Sequence, residues 1–145
     1  MKLNKITALL ALPLLILLSA CSKHPPAEVA IAENIEAIQS AIEDKNRSDV
    51  MLFLTDNFTA NGYLNKEELG KMLLLQFLAH NKISVTVVSS DIQIEPGHTD
   101  LAQAKLAVIV TGATRLIPDD GRIYQVTSSW QLNDGDWLLD RLNWE

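Results

Sequence analysis

The sequence is poor in residue types that many catalytic and metal sites require. Its 145 residues include one cysteine and three histidines, and aromatic residues make up 6%. The histidines, at positions 24, 80 and 98, share no helical or strand spacing, so they do not predict a zinc site. The chain also lacks a Gly-rich phosphate loop and a Gly-x-Ser-x-Gly elbow. These absences exclude the commonest signatures of zinc, nucleotide-phosphate and serine-hydrolase sites.

Basic clusters are absent as well. The formal net charge is −6, from 12 Lys and Arg against 18 Asp and Glu. No segment combines several Lys or Arg residues with interleaved aromatics. A protein that binds a phosphate backbone presents such a basic surface, so we expect no nucleic-acid partner.

The sequence has no apolar run long enough to span a bilayer. The longest, Ile6 to Leu18, is interrupted only by Thr7 and Pro13 and follows a short segment with two lysines and no acid. Its 13 residues fall short of the roughly 18 that a spanning helix needs, and small residues follow it directly. The pattern predicts a secretory signal peptide over residues 1–20.

The end of this leader contains the only cysteine. Leu18-Ser19-Ala20-Cys21 resembles the bacterial lipobox, in which a signal peptidase cuts before a cysteine that then carries the lipid. The alternative is that Cys21 is an ordinary residue just past a conventional cleavage site, an odd, unpaired thiol in a secreted protein. A diacylated cysteine with an acylated amino group would anchor the protein stably, whereas one acyl chain binds only marginally. By resemblance to lipoproteins of Gram-negative bacteria, Ser22 in place of an Asp favours the outer membrane, with the domain facing the periplasm.

The remaining chain has the length of one domain. Residues 21–28 (CSKHPPAE) are polar and contain two prolines, which predicts a short, stiff tether after the lipidated cysteine. Residues 29–145 are expected to fold around a single core. Loss of Lys2 and Lys5 with the leader leaves 10 cationic and 18 acidic side chains, a formal charge of −8.

Helical periodicity dominates the first half of this domain. Val29 to Ile42 carries apolar residues at steps of three and four, which predicts an amphipathic helix. Asp49 is expected to cap a short, buried helix that runs through Leu54 and ends near Asp56. A third helix is predicted from Asn65 to about His80, and His80 is interpreted as a helix-ending residue rather than a catalytic base.

Beyond the third helix the apolar residues alternate with a period of two. The alternation predicts four long antiparallel strands: Ile83–Ile94, Ala104–Val110, Ile123–Leu132 and Trp137–Trp144. The last two are joined by a tight hairpin at Asn133–Asp136. Helices followed by strands predict the α+β class, with a curved antiparallel meander behind the helices.

Several of these segments together resemble a known superfamily. Leu54-Thr55-Asp56-Asn57-Phe58, the turn at Gly62, the helix start Asn65-Lys66-Glu67-Glu68-Leu69 and the closing hairpin Ser129–Leu139 are similar to NTF2-like domains, best to their SnoaL-like and ketosteroid-isomerase-like branches. The resemblance covers Val29 to Trp144. It implies a cone of three N-terminal helices packed on a curved antiparallel sheet, an enclosed pocket, and dimerisation through the sheets.

The segment Asn57 to Leu69 also has the spacing of a calcium-binding EF-hand loop. With Gly62 as the sixth position, the ligands would be Asn57, Thr59, Asn61, the Tyr63 carbonyl, Asn65 and Glu68. Glu68 is the only carboxylate among them, and calcium affinity follows the number of charged ligands. We therefore interpret the loop as structural: Asn61 and Gly62 form a turn with positive φ, and Asn65 caps the third helix.

The resemblance does not carry over the chemistry of ketosteroid isomerases. Their aspartate base falls near Asn61 or Gly62 here, and neither residue accepts a proton; the first helix contains no tyrosine to act as a donor. Our leading hypothesis is a non-catalytic domain, without a cofactor, that binds a small apolar ligand or a protein partner in the envelope. The alternatives are a SnoaL-like isomerase or hydrolase acting on a small organic substrate, and an accessory subunit of an envelope complex.

The residues expected at a pocket or interface lie mostly in the strand half. They are Tyr63, Phe77, Arg115, Tyr124, Thr127 and Trp130. Tyr124 and Trp130 share one strand face and Thr127 lies on the other, but periodicity does not decide which face lines the interior. Trp137 and Trp144 are an odd number of residues apart, so they are predicted on opposite faces, with one available to a second copy or another partner, unless Trp144 packs against the chain end.

Replacement of Cys21 tests the anchor. The Cys21→Ala variant is expected to move from the membrane fraction to the soluble periplasmic fraction, because the lipid is the predicted attachment. Fractionation followed by immunoblotting measures this, with Ser22→Ala as the matched control that stays on the membrane. Continued membrane association of Cys21→Ala would contradict the lipoprotein assignment.

Overall fold

A computed structural model describes residues 24–114, 117–118 and 121–145. The predicted signal peptide over residues 1–20, Cys21 and Arg115 lie outside the described residues. The helices are α1 (Ala27–Glu43), α2 (Arg47–Leu52) and α3 (Lys66–Ala79). The strands are β1 (Leu54–Ala60), β2 (Leu64–Asn65), β3 (Lys82–Ile94), β4 (Leu101–Thr114), β5 (Ile117–Pro118), β6 (Arg122–Asn133) and β7 (Asp136–Trp144).

The first and third helices confirm the sequence predictions. In α1 the apolar stripe faces the core, with Ile31 fully buried. At the start of α3 the Asn65 side chain accepts the Glu68 N–H and the Glu68 carboxylate accepts the Asn65 N–H, both at 2.9 Å. This capping box satisfies two backbone donors and fixes where α3 begins. Within the described residues, no helix has the length and hydrophobicity to cross a membrane.

The prediction for the second helix is wrong at both ends. Its cap is Asn46, whose side-chain oxygen accepts the Asp49 N–H at 3.2 Å, and α2 ends at Leu52. The next residues form β1 instead, because Leu54, Phe58 and Ala60 bury their side chains in an extended segment that pairs with β7. Leu52 is 73% exposed, so the helix is not buried on all sides.

The strands form one sheet in the order β2-β1-β7-β6-β4-β3, with β5 beside β4. The four long strands β3, β4, β6 and β7 are antiparallel neighbours, as predicted. The sheet is nevertheless mixed, because β1 runs parallel to β7. The parallel pairing involves a strand that the sequence analysis assigned to the second helix, so the prediction for the four long strands is confirmed and β1 is an addition to it.

A bulge in β7 corrects the prediction for the two tryptophans. Trp130 pairs with Leu139 and Ser129 with Arg141, so Asp140 is left as an extra residue. The extra residue reverses the alternation of side chains. Trp137, 6% exposed, and the half-buried Trp144 consequently both pack against the core rather than pointing to opposite faces.

The core lies between the helices and one face of the sheet, the inner face. Tyr124, Val126, Ser128, Trp130 and Leu132 occupy this face in β6, as their predicted common periodicity requires. Helix α1 packs mainly on β3, and α3 packs on β1. The helices therefore cover the inner face, while the opposite, outer face carries the exposed residues of each strand.

The ends of α1 and α3 are joined at the far end of the long strands. The Lys45 ammonium, just after α1, donates to the carbonyl of Phe77 at 3.1 Å and to that of His80. These carbonyls belong to the end of α3, where backbone acceptors lack helical partners. The His80 ring then lies against β4 so closely that a Cβ at Gly112 would be 2.5 Å from its Cδ2.

Two glycine replacements test this packing. Gly112→Ala is expected to lower the free energy of unfolding by about 1–3 kcal/mol, because the His80 ring has to move away from β4. Gly70→Ala is the control: its Cβ would meet nothing closer than 3.4 Å, and alanine favours a helix by up to about 1 kcal/mol, so stability should rise. Chemical denaturation measures both, and equal effects of the two changes would contradict the described contact.

Candidate functional site

The inner face of the sheet is lined mostly by apolar side chains. Phe58, Ala104 and Trp130 are at most 2% exposed and close its deepest part. Half-buried apolar residues surround this part on the strands and on both long helices: Val87, Val110, Val126, Leu142, Trp144, Ile35, Ile38, Ile42, Met72 and Leu73. These residues pack against the buried cluster and give the inner face its apolar character.

The buried polar group of this face is satisfied internally. Trp130 Nε1 donates to Ser128 Oγ at 2.9 Å, and Ser128 Oγ donates to the Ala104 carbonyl at 3.3 Å. The described residues leave no buried side-chain nitrogen or oxygen without a hydrogen bond. Ser128 therefore orients the Trp130 indole and has its own proton committed, so it is not set up as a nucleophile.

Tyr124 lies at the edge of the same face. Its side chain is half-buried, and the Arg122 guanidinium carbon is 5.1 Å from the centre of its ring. This distance is within the range of a cation–π contact. The pair covers the ring with a cation that stays at the surface, and it gives this edge of the apolar face a positive charge.

The other residues expected at a pocket are scattered. Phe77 and Trp130 belong to one buried core cluster, which holds the fold together. Tyr63 is 70% exposed in the turn between β1 and β2, and Thr127 is exposed on the outer face. The structure thus brings Phe77 and Trp130 together and separates Tyr63 and Thr127 from them.

Sequence reasoning missed an exposed leucine cluster on α3. Leu74, Leu75 and Leu78 are 45%, 65% and 76% exposed. They lie on one side of the helix, because residues three and four apart are neighbours there. The signal was present: Leu69 and Phe77 already supply the buried stripe, so further leucines in the same helix have to face outward.

Sequence reasoning also missed a groove on the helical side. It has a volume of about 650 Å³ and is lined by Arg47, Met51, Asp56, Asn65, Lys66, Glu67, Gly70 and Lys71. Glu67 and Lys71 form an ion pair of 2.7 Å along its wall. Their hydrogen bond and mutual attraction lower the pKa of Glu67 and raise the pKa of Lys71 from their ordinary values.

The loop with EF-hand spacing is a turn and a helix cap, as interpreted from the sequence. Asn57 belongs to β1, while Asn61 and Gly62 have φ values of 48° and 74°. The Asn61 side-chain oxygen accepts the Trp144 N–H at 2.9 Å, and Glu68 belongs to the capping box. Three of the side-chain oxygens that a cation would need, those of Asn61, Asn65 and Glu68, are thus already hydrogen-bonded to the backbone. No group of three or more His, Cys, Asp or Glu suited to a metal ion occurs in the described part of the chain.

Comparison with known proteins gives the fold. No family model and no curated protein matches the sequence. Among solved structures, an NTF2-like protein of unknown function from Pseudomonas putida KT2440 is similar, with a TM-score of 0.69 and 15% identity over 82% of this chain and 85% of that one. A protein provisionally named a scytalone dehydratase, from Novosphingobium aromaticivorans DSM 12444, has a TM-score of 0.73 and 14% identity over 81% and 82%.

A third similar structure comes from Shewanella frigidimarina NCIMB 400 and is provisionally named a ketosteroid isomerase. Its TM-score is 0.62, with 18% identity over 80% of this chain and 94% of that one. The described chain therefore has the NTF2-like cone fold. This fold is found in proteins named as enzymes and in proteins of unknown function alike, so the likeness identifies the architecture and not an activity.

The cap at Asn65 and the absence of a calcium response can be measured together. Asn65→Ala is expected to lower the free energy of unfolding by about 1 kcal/mol, because the Glu68 N–H loses its acceptor. Asn57→Ala is the control, since its exposed side chain makes no hydrogen bond within the described residues.

Millimolar calcium should leave the melting temperature of the unaltered protein unchanged. A rise in melting temperature that Glu68→Gln abolishes would contradict the structural interpretation.

Proposed function

We propose that the protein is an envelope lipoprotein, anchored through Cys21, whose NTF2-like domain binds a small apolar ligand or a protein partner without catalysing a reaction. The observation that carries the proposal is the make-up of the inner face. Its half-buried residues are aliphatic and aromatic, and the Ser128 hydroxyl is engaged with Trp130 and Ala104. An acid–base reaction needs titratable groups aimed at one point, and this face offers apolar contact instead.

The leader and the lipobox-like segment support the anchor. A charged amino end, an apolar run of signal-peptide length and a single cysteine directly after it are the features of a lipid attachment site. Ser22 supports the outer membrane. With the short tether that follows, the domain works close to a membrane, where apolar ligands and envelope proteins are the available partners.

The two kinds of partner are supported by different surfaces. The half-buried ring of residues on the inner face suits a small apolar molecule. The leucine cluster Leu74, Leu75 and Leu78 suits a protein, because clustered exposed apolar residues mark interaction surfaces. A second candidate function, a SnoaL-like isomerase or hydrolase, is favoured by the enzyme names given to two of the similar structures.

Native mass spectrometry of the full chain tests ligand binding. Protein released from membranes in a nonionic detergent is expected to retain an apolar molecule, which appears as added mass. Val126→Asn is expected to lose this mass, because a polar group enters the inner face; the neighbouring Thr127→Asn, on the outer face, should keep it. Retention by both variants would contradict binding at the inner face.

Photo-crosslinking tests the binding of a protein partner. A photo-crosslinking residue at position 75 should capture a defined envelope protein in cells, and the same residue at Leu52, 73% exposed on α2, is the control. If native mass spectrometry shows no added mass and position 75 gives no specific crosslink, both the ligand-binding and the protein-binding proposals are overturned. That result would favour the enzyme.

A further inference from the structure

We propose that the groove between α2, β1 and the start of α3 is a binding site for a small anion that carries a carboxylate or phosphate group. It is an open surface groove with a volume of about 650 Å³. None of its lining residues belongs to the four long strands, so it is separate from the inner face of the sheet. The inference therefore does not rest on the proposed function.

The guanidinium group of Arg47 supplies hydrogen-bond donors that are available to a ligand. Within the described residues its guanidinium has neither a hydrogen bond nor an ion pair. Its Nη1 and Cδ lie 3.7 and 3.8 Å from the position that a Cβ on Gly70 would take, so the exposed side chain passes beside α3. A planar guanidinium matches carboxylate and phosphate oxygens two at a time.

Lys66 supplies a second, partly buried cation. Its ammonium donates to the Leu54 carbonyl at 2.8 Å, and the side chain is 30% exposed. The nearest carboxylate oxygen, on Asp56, is 3.7 Å away, which is too long for a hydrogen bond. An ammonium has three donors. Two of them therefore have no acceptor within the described part of the chain.

The acidic residues of the groove do not cancel these two cations. Glu67 is committed to Lys71 by the 2.7 Å ion pair. The Asp56 side chain is fully exposed, so solvent weakens its hold on Lys66. Arg47 and Lys66 thus leave a local excess of positive charge on a chain whose formal net charge is −6. Both cations line the same groove, so we expect an anion bound there to gain charge-assisted hydrogen bonds from them.

Gly70 keeps the groove open. It is buried, and a side chain there would grow toward Met51 Sδ, 3.4 Å from the Cβ position, and toward Arg47. The thioether of Met51 provides an apolar wall beside the two cations. The ligand that fits this arrangement has an anionic head and a compact body.

The test is a titration of the full chain in nonionic detergent, followed by NMR through the amide signals of Lys66 and Gly70. The probes are inorganic phosphate, butyrate, and mixed micelles containing phosphatidylglycerol or, as the uncharged comparison, phosphatidylcholine. Saturable shifts are expected with an anionic probe. Arg47→Gln should weaken binding roughly tenfold, since a hydrogen bond to a charged group contributes on that order. Arg47 is exposed, so an unchanged melting temperature confirms that the variant is folded.

Controls separate the site from general charge effects. Lys105→Gln removes an exposed cation from the sheet, far from the groove in the fold, and should leave the titration unchanged. A response to phosphate or butyrate identifies a soluble ligand, and a response to phosphatidylglycerol alone identifies a lipid headgroup with the same chemistry; both support the site. No saturable shift with any probe, or equal shifts in Arg47→Gln and the unaltered protein, would overturn it.

Discussion

The pairing of β1 with β7 attaches the helical half of the chain to the sheet. The Leu139 N–H donates to the Phe53 carbonyl and the Asn61 N–H to the Leu142 carbonyl, both at 2.8 Å. Between them, the buried Thr55 hydroxyl donates to the carboxylate of Asp140, the bulge residue, at 3.0 Å. Because α2 and α3 flank β1 in the chain, this pairing determines where both helices sit. The groove and the covering of the inner face depend on it.

The bulge at Asp140 has a second effect, on the composition of the inner face. Without the extra residue, the strand alternation would turn Trp144 outward and bring polar neighbours such as Asn143 inward. With it, Leu142 and Trp144 join Trp137 against the core. The apolar character of the inner face therefore depends on one unpaired residue, and the same residue is held in place from β1. The packing of the inner face and the pairing of β1 with β7 therefore both involve Asp140.

Much of the fold was predictable from the sequence because its signals were local. The apolar period predicts α1 and the four long strands, and Asn65 with Glu68 predicts the start of α3. The first strand was not predictable in this way, because Leu54–Ala60 has an irregular burial pattern and follows directly on a helix. Its partner, β7, is about 80 residues away in sequence, and such pairings leave no local trace. The tryptophan prediction failed because a bulge changes the parity of a strand without changing its composition.

The candidate sites were less predictable than the fold. Phe77 and Trp130 were chosen as large residues and turned out to be core, since packing and binding favour the same side chains. The groove depends on Arg47 of α2 and on Lys66 and Gly70 of α3, two helices that lie on either side of β1 in the chain. Nothing in the local sequence around Arg47 distinguishes it from a solvated surface cation. Arg47 stands out only in the folded chain, where none of the described residues accepts a hydrogen bond from its guanidinium.

The start of α1 lies at one end of the long strands, which determines how the domain is oriented relative to the segment that precedes it. The His24 ring lies close to Gly135 in the β6–β7 hairpin, and the Asn34 amide donates to the Trp137 carbonyl at 2.8 Å, so α1 starts at the hairpin end of the sheet. From Leu101 to Gly112, β4 extends roughly 35 Å away from that end. A lipid on Cys21, six residues before α1, would hold the hairpin within about 20 Å of the bilayer. With the strands upright on the proposed anchor, the junction of Lys45, His80 and Gly112 would then be the part of the domain farthest from the lipid.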